Sequence, residues 1–184
     1  MLKILAFASV FFFIACRRPQ NEVFYTLVNE NFFTMVDTGA YTSGSLIQGM
    51  TEPAITRSKF LLRVDTVLEN SDMITESVSS LIKESHHNFR DLPAAGSIKL
   101  GRIDTRKFTN SGKFELIKSG PPTIRVDPNV VGTLSFSQPY ISDTQAIIVY
   151  SISTSPKSGY TNALFFQKSR QEWKLIDKNQ LEIW

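Results

Sequence analysis

The stretch "QAIIVYSISTSPKSGYTNALFFQKSRQEWKLIDKNQLEIW", residues 145–184, decides the fold. It holds three runs rich in β-branched and aromatic residues: Gln145 to Ser153, Thr161 to Lys168, and Glu172 to Asp177 with an extension toward Trp184. Ser155 to Gly159 and Ser169 to Gln171 separate them. Gaps this short force antiparallel neighbours, because a parallel crossover needs roughly a dozen residues or more. The expectation is a meander. A further strand, Gly132 to Ser137, leads into it through Pro139 to Thr144.

Moving outward, Lys107-Phe108-Thr109, Asn110-Ser111-Gly112 and Lys113 to Lys118 read as a hairpin with a three-residue turn. Ser119-Gly120-Pro121-Pro122 and Asp127-Pro128-Asn129 break the chain. Asp72 to Phe89 has helical spacing, with Val78, Leu81, Ile82, Ser85 and Phe89 on one face. Asn70, Ser71 or Asp72 can cap its start, Glu76 suits its first turn, and Asp91-Leu92-Pro93 ends it. Lys59 to Leu68 is apolar enough for a strand, with a helix as the alternative, and Ala40 to Thr56 is a Gly/Ser/Thr loop or irregular strand.

From Asn21 to Val36 the apolar residues Phe24, Leu27, Val28, Phe32 and Met35 recur at helical intervals, and Asp37-Thr38-Gly39 closes the helix. Its polar residues, Glu22, Asn29, Glu30 and Asn31, offer no cationic face to a membrane, so it reads as core-facing. Helices first and strands after define an α+β domain over 21–184: N-terminal helices packed on a C-terminal antiparallel β-meander.

The chain has 184 residues, enough for one domain with a real core. Its net charge of +3 is too small and too evenly spread to argue for nucleic acid. The first fifteen residues stand apart. Lys3 precedes twelve residues, Ile4 to Ala15, of which only Ser9 is polar. As a helix they would span about 18 Å, short of the roughly 30 Å of a hydrocarbon core. A buried helix ending at Arg17-Arg18-Pro19 is one alternative; a secretion signal fits the charged start and apolar run better. In a plain signal, Cys16, the one cysteine, would remain a stray thiol.

Phe13-Ile14-Ala15-Cys16 resembles the lipobox of bacterial lipoproteins, with Phe13 in place of the usual leucine. The resemblance implies cleavage before Cys16 and acylation of its sulfur. Residues 1–15 would then be a lipoprotein signal peptide and 16–20 a lipid-anchored tether. Two or three acyl chains at about 0.8 kcal/mol per buried CH₂ give stable anchoring. A lone cysteine leaves no disulfide, so stability must come from packing. The last fifty or so residues resemble the end of a set of uncharacterised lipoproteins of Bacteroidota. The likeness lies in Phe136-Ser137, Pro139, Asp143, Ala146 to Tyr150, Gly159-Tyr160, Leu164-Phe165-Phe166, Trp173-Lys174-Leu175 and Ile183-Trp184. Such proteins often carry a cysteine pair before the glycine; Thr154-Ser155-Pro156-Lys157-Ser158 stands there instead. The likeness implies location and fold and supplies no mechanism.

Motifs that carry chemistry are sparse. His86 and His87 are adjacent, so on a helix they point about 100° apart and do not readily share a metal. A polar helix face accounts for them; one of them acting in catalysis is the alternative. No GxSxG occurs, and Thr42-Ser43-Gly44-Ser45 is a Gly/Ser loop. Asp65, Asp72, Asp91, Asp104, Asp127 and Asp143 are scattered, and nothing in the sequence brings two together. No catalytic residue, metal or cofactor is expected. The sequence reads as a lipid-anchored envelope protein held on the outer membrane or the periplasmic face. It would act as a non-enzymatic binding, assembly or immunity-type module with an envelope partner. An envelope hydrolase and a hydrophobic-ligand carrier are the alternatives; the first needs a cleft with paired carboxylates, the second an apolar cavity.

Overall fold

A computed structural model describes residues 19–36, 60–69, 72–84, 89, 100–119, 130–155 and 157–183. Their order is α1 (Gln20–Glu30), α2 (Phe32–Met35), β1 (Phe60–Val64), α3 (Asp72–Glu84), a 3₁₀ turn (Thr105–Lys107), β2 (Phe114–Lys118), β3 (Val130–Phe136), β4 (Tyr140–Ile141), β5 (Gln145–Ser155), β6 (Ser158–Ser169) and β7 (Glu172–Ile183). The fold is mixed and is dominated by one seven-stranded sheet of order β2-β1-β3-β5-β6-β7. β4 pairs with β5 beyond the end of β3.

The C-terminal meander forms as its alternation dictates. β5, β6 and β7 are antiparallel neighbours in sequence order. Ser142 closes the turn into β5: its hydroxyl accepts from the Gln145 amide at 2.9 Å, and its own amide donates to the Gln145 carbonyl at 2.7 Å. The β6–β7 turn carries Arg170 at φ 61, a left-handed residue. β7 holds two extra residues, Ile176 and Leu181, where its register with β6 shifts. Both bulged residues pack into the same apolar cluster as Phe165 and Ala163.

Three expectations need correction. The sheet is not a C-terminal meander alone: β1 lies between β2 and β3 and is parallel to both. Nor is Lys107 to Lys118 a hairpin. Gly112 does take the left-handed turn conformation at φ 55, and β2 follows, but Thr105–Lys107 is a 3₁₀ turn. Asn29 of α1 occupies the place a partner strand would fill. Its side-chain amide donates to the Lys107 carbonyl and its oxygen accepts from the Thr109 amide, each at 2.9 Å. With those backbone groups satisfied, β2 is left to pair with β1 instead. The helix expected over residues 21–36 breaks at Asn31, whose side chain donates back to the Leu27 carbonyl. Pro139 supplies no N–H and separates β3 from β4.

The sheet buries apolar side chains on both faces. On the first, Phe24, Leu27 and Phe32 share a cluster with Leu134, Phe136, Ile148, Tyr150 and Phe166. The Phe24 ring meets Phe136 edge-on at 5.4 Å. On the second face, Ile74 and Val78 of α3 and Phe89 pack on Ile147, Val149, Ala163 and Phe165. Each fully buried large side chain contributes about 1.5–3 kcal/mol. The buried Tyr150 hydroxyl is satisfied by the Asn162 side-chain amide at 3.1 Å. Burial pushes the Tyr150 phenol well above its ordinary value.

Candidate functional site

The second sheet face changes chemistry halfway along its strands. In β5 the residues on that face run Ile147, Val149, Ser151, Ser153. In β6 they run Phe165, Ala163, Thr161 in the opposite direction. β3 adds Thr133 and Ser135, while its Leu134 and Phe136 face the other way into the first core. Register then puts like beside like. Thr133 pairs with Ser153, Ser135 with Ser151, Ser151 with Thr161, and Thr161 with Glu182. One row of side chains therefore crosses four strands as Ser135, Ser151, Thr161 and Glu182. The apolar half lies under α3; the hydroxyl half floors an open cavity of about 490 Å³.

The rim comes from other elements. Beyond β1 the chain continues beside β3: the Asp65 amide donates to the Leu134 carbonyl and the Glu69 amide to the Phe136 carbonyl, each at 2.9 Å. Asp65 Oδ1 accepts from the Val67 amide, which turns the segment so that Asp65 and Glu69 both line the cavity. Met73 and Ile74, in the first turn of α3, form an apolar wall, and Glu182 stands at the end of the row on β7.

The floor is partly self-satisfied. Ser151 Oγ and Thr161 Oγ1 share a hydrogen bond of 2.9 Å. Thr161 is 1 % exposed and Ser151 and Ser135 are each 7 % exposed. The Ser135 hydroxyl has no hydrogen-bond partner among the described residues. Three carboxylates line the cavity against one cation at its edge, Arg63, which pairs with Thr133 on the same sheet face, so the described site carries net negative charge. Among the described residues no three His, Cys, Asp or Glu side chains come together closely enough to hold a metal ion.

Most of the residues singled out in the sequence lie elsewhere. Cys16, His86, His87, Asp91, Asp127, Trp184 and residues 42–45 lie outside the described residues. Asp72 opens α3. Asp104 accepts two side-chain hydrogen bonds from Arg106 at 2.9 Å, and that pairing lowers its carboxyl to about 2. Its amide donates to the Tyr25 hydroxyl at 2.8 Å, which ties it to α1. Trp173 packs against the first core, and Phe165 and Phe166 are buried on opposite faces. Among the described residues Asp65 is the one of the scattered aspartates that reaches the cavity, where Glu69 and Glu182 join it. Among the described residues no helix is long and apolar enough to cross a membrane. Compared with family models, with curated proteins and with solved structures, the chain matches none.

Proposed function

We propose that the chain is a lipid-anchored envelope protein that works by binding, and that the hydroxyl-floored groove is its binding site. One observation carries this reading: half of a sheet face is built of serine and threonine and is left open by the described residues, while the other half is apolar and covered. A freely solvated sheet face is polar for that reason alone, but here Ser135, Ser151 and Thr161 are at most 7 % exposed and still carry hydroxyls. The arrangement of helices fits the same reading, with residues 20–35 taken as the cover of the first face and the anchor just before them.

The short sequence distance from Cys16 to the described residues fits it too. Gln20, at the start of α1, donates to the Ile141 carbonyl, and Ile141 pairs with Ala146 at the beginning of β5. Cys16 precedes Pro19 by three residues, a reach of about 10 Å. The groove sits around Ser151 and Ser153, about 20 Å further along β5 at roughly 3.4 Å per residue. An acylated Cys16 would thus hold one end of the sheet at the bilayer and leave the groove toward the envelope space. The C-terminal resemblance to Bacteroidota lipoproteins points to the same location. A hydrolase is the second reading; it draws on Asp65, Glu69 and Glu182 around one cavity.

The test is site-specific photo-crosslinking in cells, with the probe at Thr133 in the groove and at exposed Lys113 as control. The binding reading expects a discrete adduct from Thr133 and none from Lys113. Equal or absent crosslinking at both positions contradicts it. Mass spectrometry of the natural protein tests the anchor separately: an acylated Cys16 amino terminus is expected, and an intact Met1 contradicts it.

A further inference from the structure

Resting on the reading that the groove is a binding site, we infer that its ligand couples a primary ammonium group to several hydroxyls, as an amino sugar does. Asp65, Glu69 and Glu182 line the cavity and outnumber the one cation at its edge among the described residues, Arg63, which pairs with Thr133 across β1 and β3. Asp65 and Glu69 come from the segment after β1 and Glu182 from β7, and the three do not gather into a metal-holding cluster. A compact divalent ion needs six or more oxygens at one point, or octahedral geometry. A dispersed acidic rim suits an organic cation whose three N–H donors sit at one end of a larger body.

The floor specifies that body. Ser135 is 7 % exposed, lines the cavity, and its hydroxyl has no partner among the described residues. Its oxygen is open to the groove, so groove water or a ligand hydroxyl is what can satisfy it. Ser151 and Thr161 share one hydrogen bond between two O–H groups, so one of the two protons is left to donate elsewhere. The floor therefore offers donors as well as acceptors. A polyamine carries donors alone and would leave the floor's own donors unmatched. Sugar hydroxyls both give and accept. Met73 and Ile74 supply an apolar wall for the C–H face of a ring. The volume, about 490 Å³, lies within the range of small-ligand sites.

Calorimetric titration of the full chain separates the parts of this claim. The probes are the deacetylated glucosamine disaccharide, its N-acetylated counterpart, cellobiose and spermidine. The amino disaccharide is expected to bind at least about tenfold more tightly than either neutral sugar, a difference near 1.4 kcal/mol. Added salt weakens it, since the rim is solvated. The triple variant D65N/E69Q/E182Q loses the preference for the amine. S135A weakens every sugar and keeps the preference. Thermal melts of both variants check that they fold; a variant that fails to fold is replaced by the single changes E69Q and E182Q, read the same way. Equal binding of the neutral sugars overturns the ammonium inference and leaves the groove reading standing. Spermidine binding as tightly as the amino sugar overturns the hydroxyl half of the claim. No binding by any probe overturns the inference altogether, and the crosslink at Thr133 then judges the groove on its own.

Discussion

The hydroxyl row can be taken apart without damaging the sheet, and the prediction is quantitative. Ser151 and Thr161 satisfy each other across β5 and β6 at 2.9 Å. T161V keeps the shape and strands the Ser151 hydroxyl, which is 7 % exposed and can reach groove water; the cost is about 1 kcal/mol. S151A strands the Thr161 hydroxyl, which is 1 % exposed, at about 2 kcal/mol. Removing both partners at once removes the unsatisfied group. S151A/T161V should therefore fall within about 1 kcal/mol of the parent, well short of the sum. Urea denaturation of the four proteins gives the cycle directly. A double variant costing as much as the two single changes added, or more, would refute the reasoning. The two hydroxyls would then be uncoupled, and the row would not be the self-satisfied floor described above.

F24A, by contrast, removes a fully buried ring that meets Phe136 on the first face and should cost about 3–5 kcal/mol in the same denaturation assay. G112A forces a side chain into φ 55 and brings its Cβ to 2.5 Å from the Phe33 ring. Phe33 is 44 % exposed and can swing aside, so the loss should be about 1–2 kcal/mol, almost all from the backbone, and adding F33A should not restore it. Y150F strands the Asn162 amide in the core at a cost of about 1–3 kcal/mol; spectrophotometric titration of the phenols to about pH 11 should look the same with or without Tyr150, which burial keeps from ionising there. Asp104 is held at about 2 when folded, below its ordinary value of 3.8, so it stabilises the fold above that ordinary value and loses the contribution as pH falls from about 4 to 2. In D104N the melting temperature should fall less steeply across that window; an unchanged acid limb contradicts the pairing with Arg106.

The meander was legible because its signals are local. Alternation in β5 and β6 and gaps too short for a crossover leave one arrangement. β1 and β2 were not legible as parallel partners, since FLLRV and FELIK are joined through about fifty residues and neither carries a mark of the other. The false hairpin shows how pairing is decided at a distance. Asn110-Ser111-Gly112 does turn the chain, with the Phe114 amide bonded to the Ser111 carbonyl, but Asn29, some eighty residues earlier, takes the hydrogen bonds that a hairpin strand would have used. The groove left a trace that motif searching passes over. Every second residue from Ile147 reads Ile, Val, Ser, Ser, and that switch from branched carbon to hydroxyl marks where cover ends. Glu69 and Glu182 carried no such trace, because only register brings Glu182 beside Thr161.

Backbone amide shifts in a ¹⁵N-labelled protein, followed during titration with the glucosamine disaccharide, probe the groove most directly. The account predicts changes concentrated at Thr133, Ser135, Ser151, Ser153, Thr161 and Glu182, with Ile147 and Val149 under α3 left still. Changes centred on α1 and the first face, or spread evenly over the sheet, would contradict it.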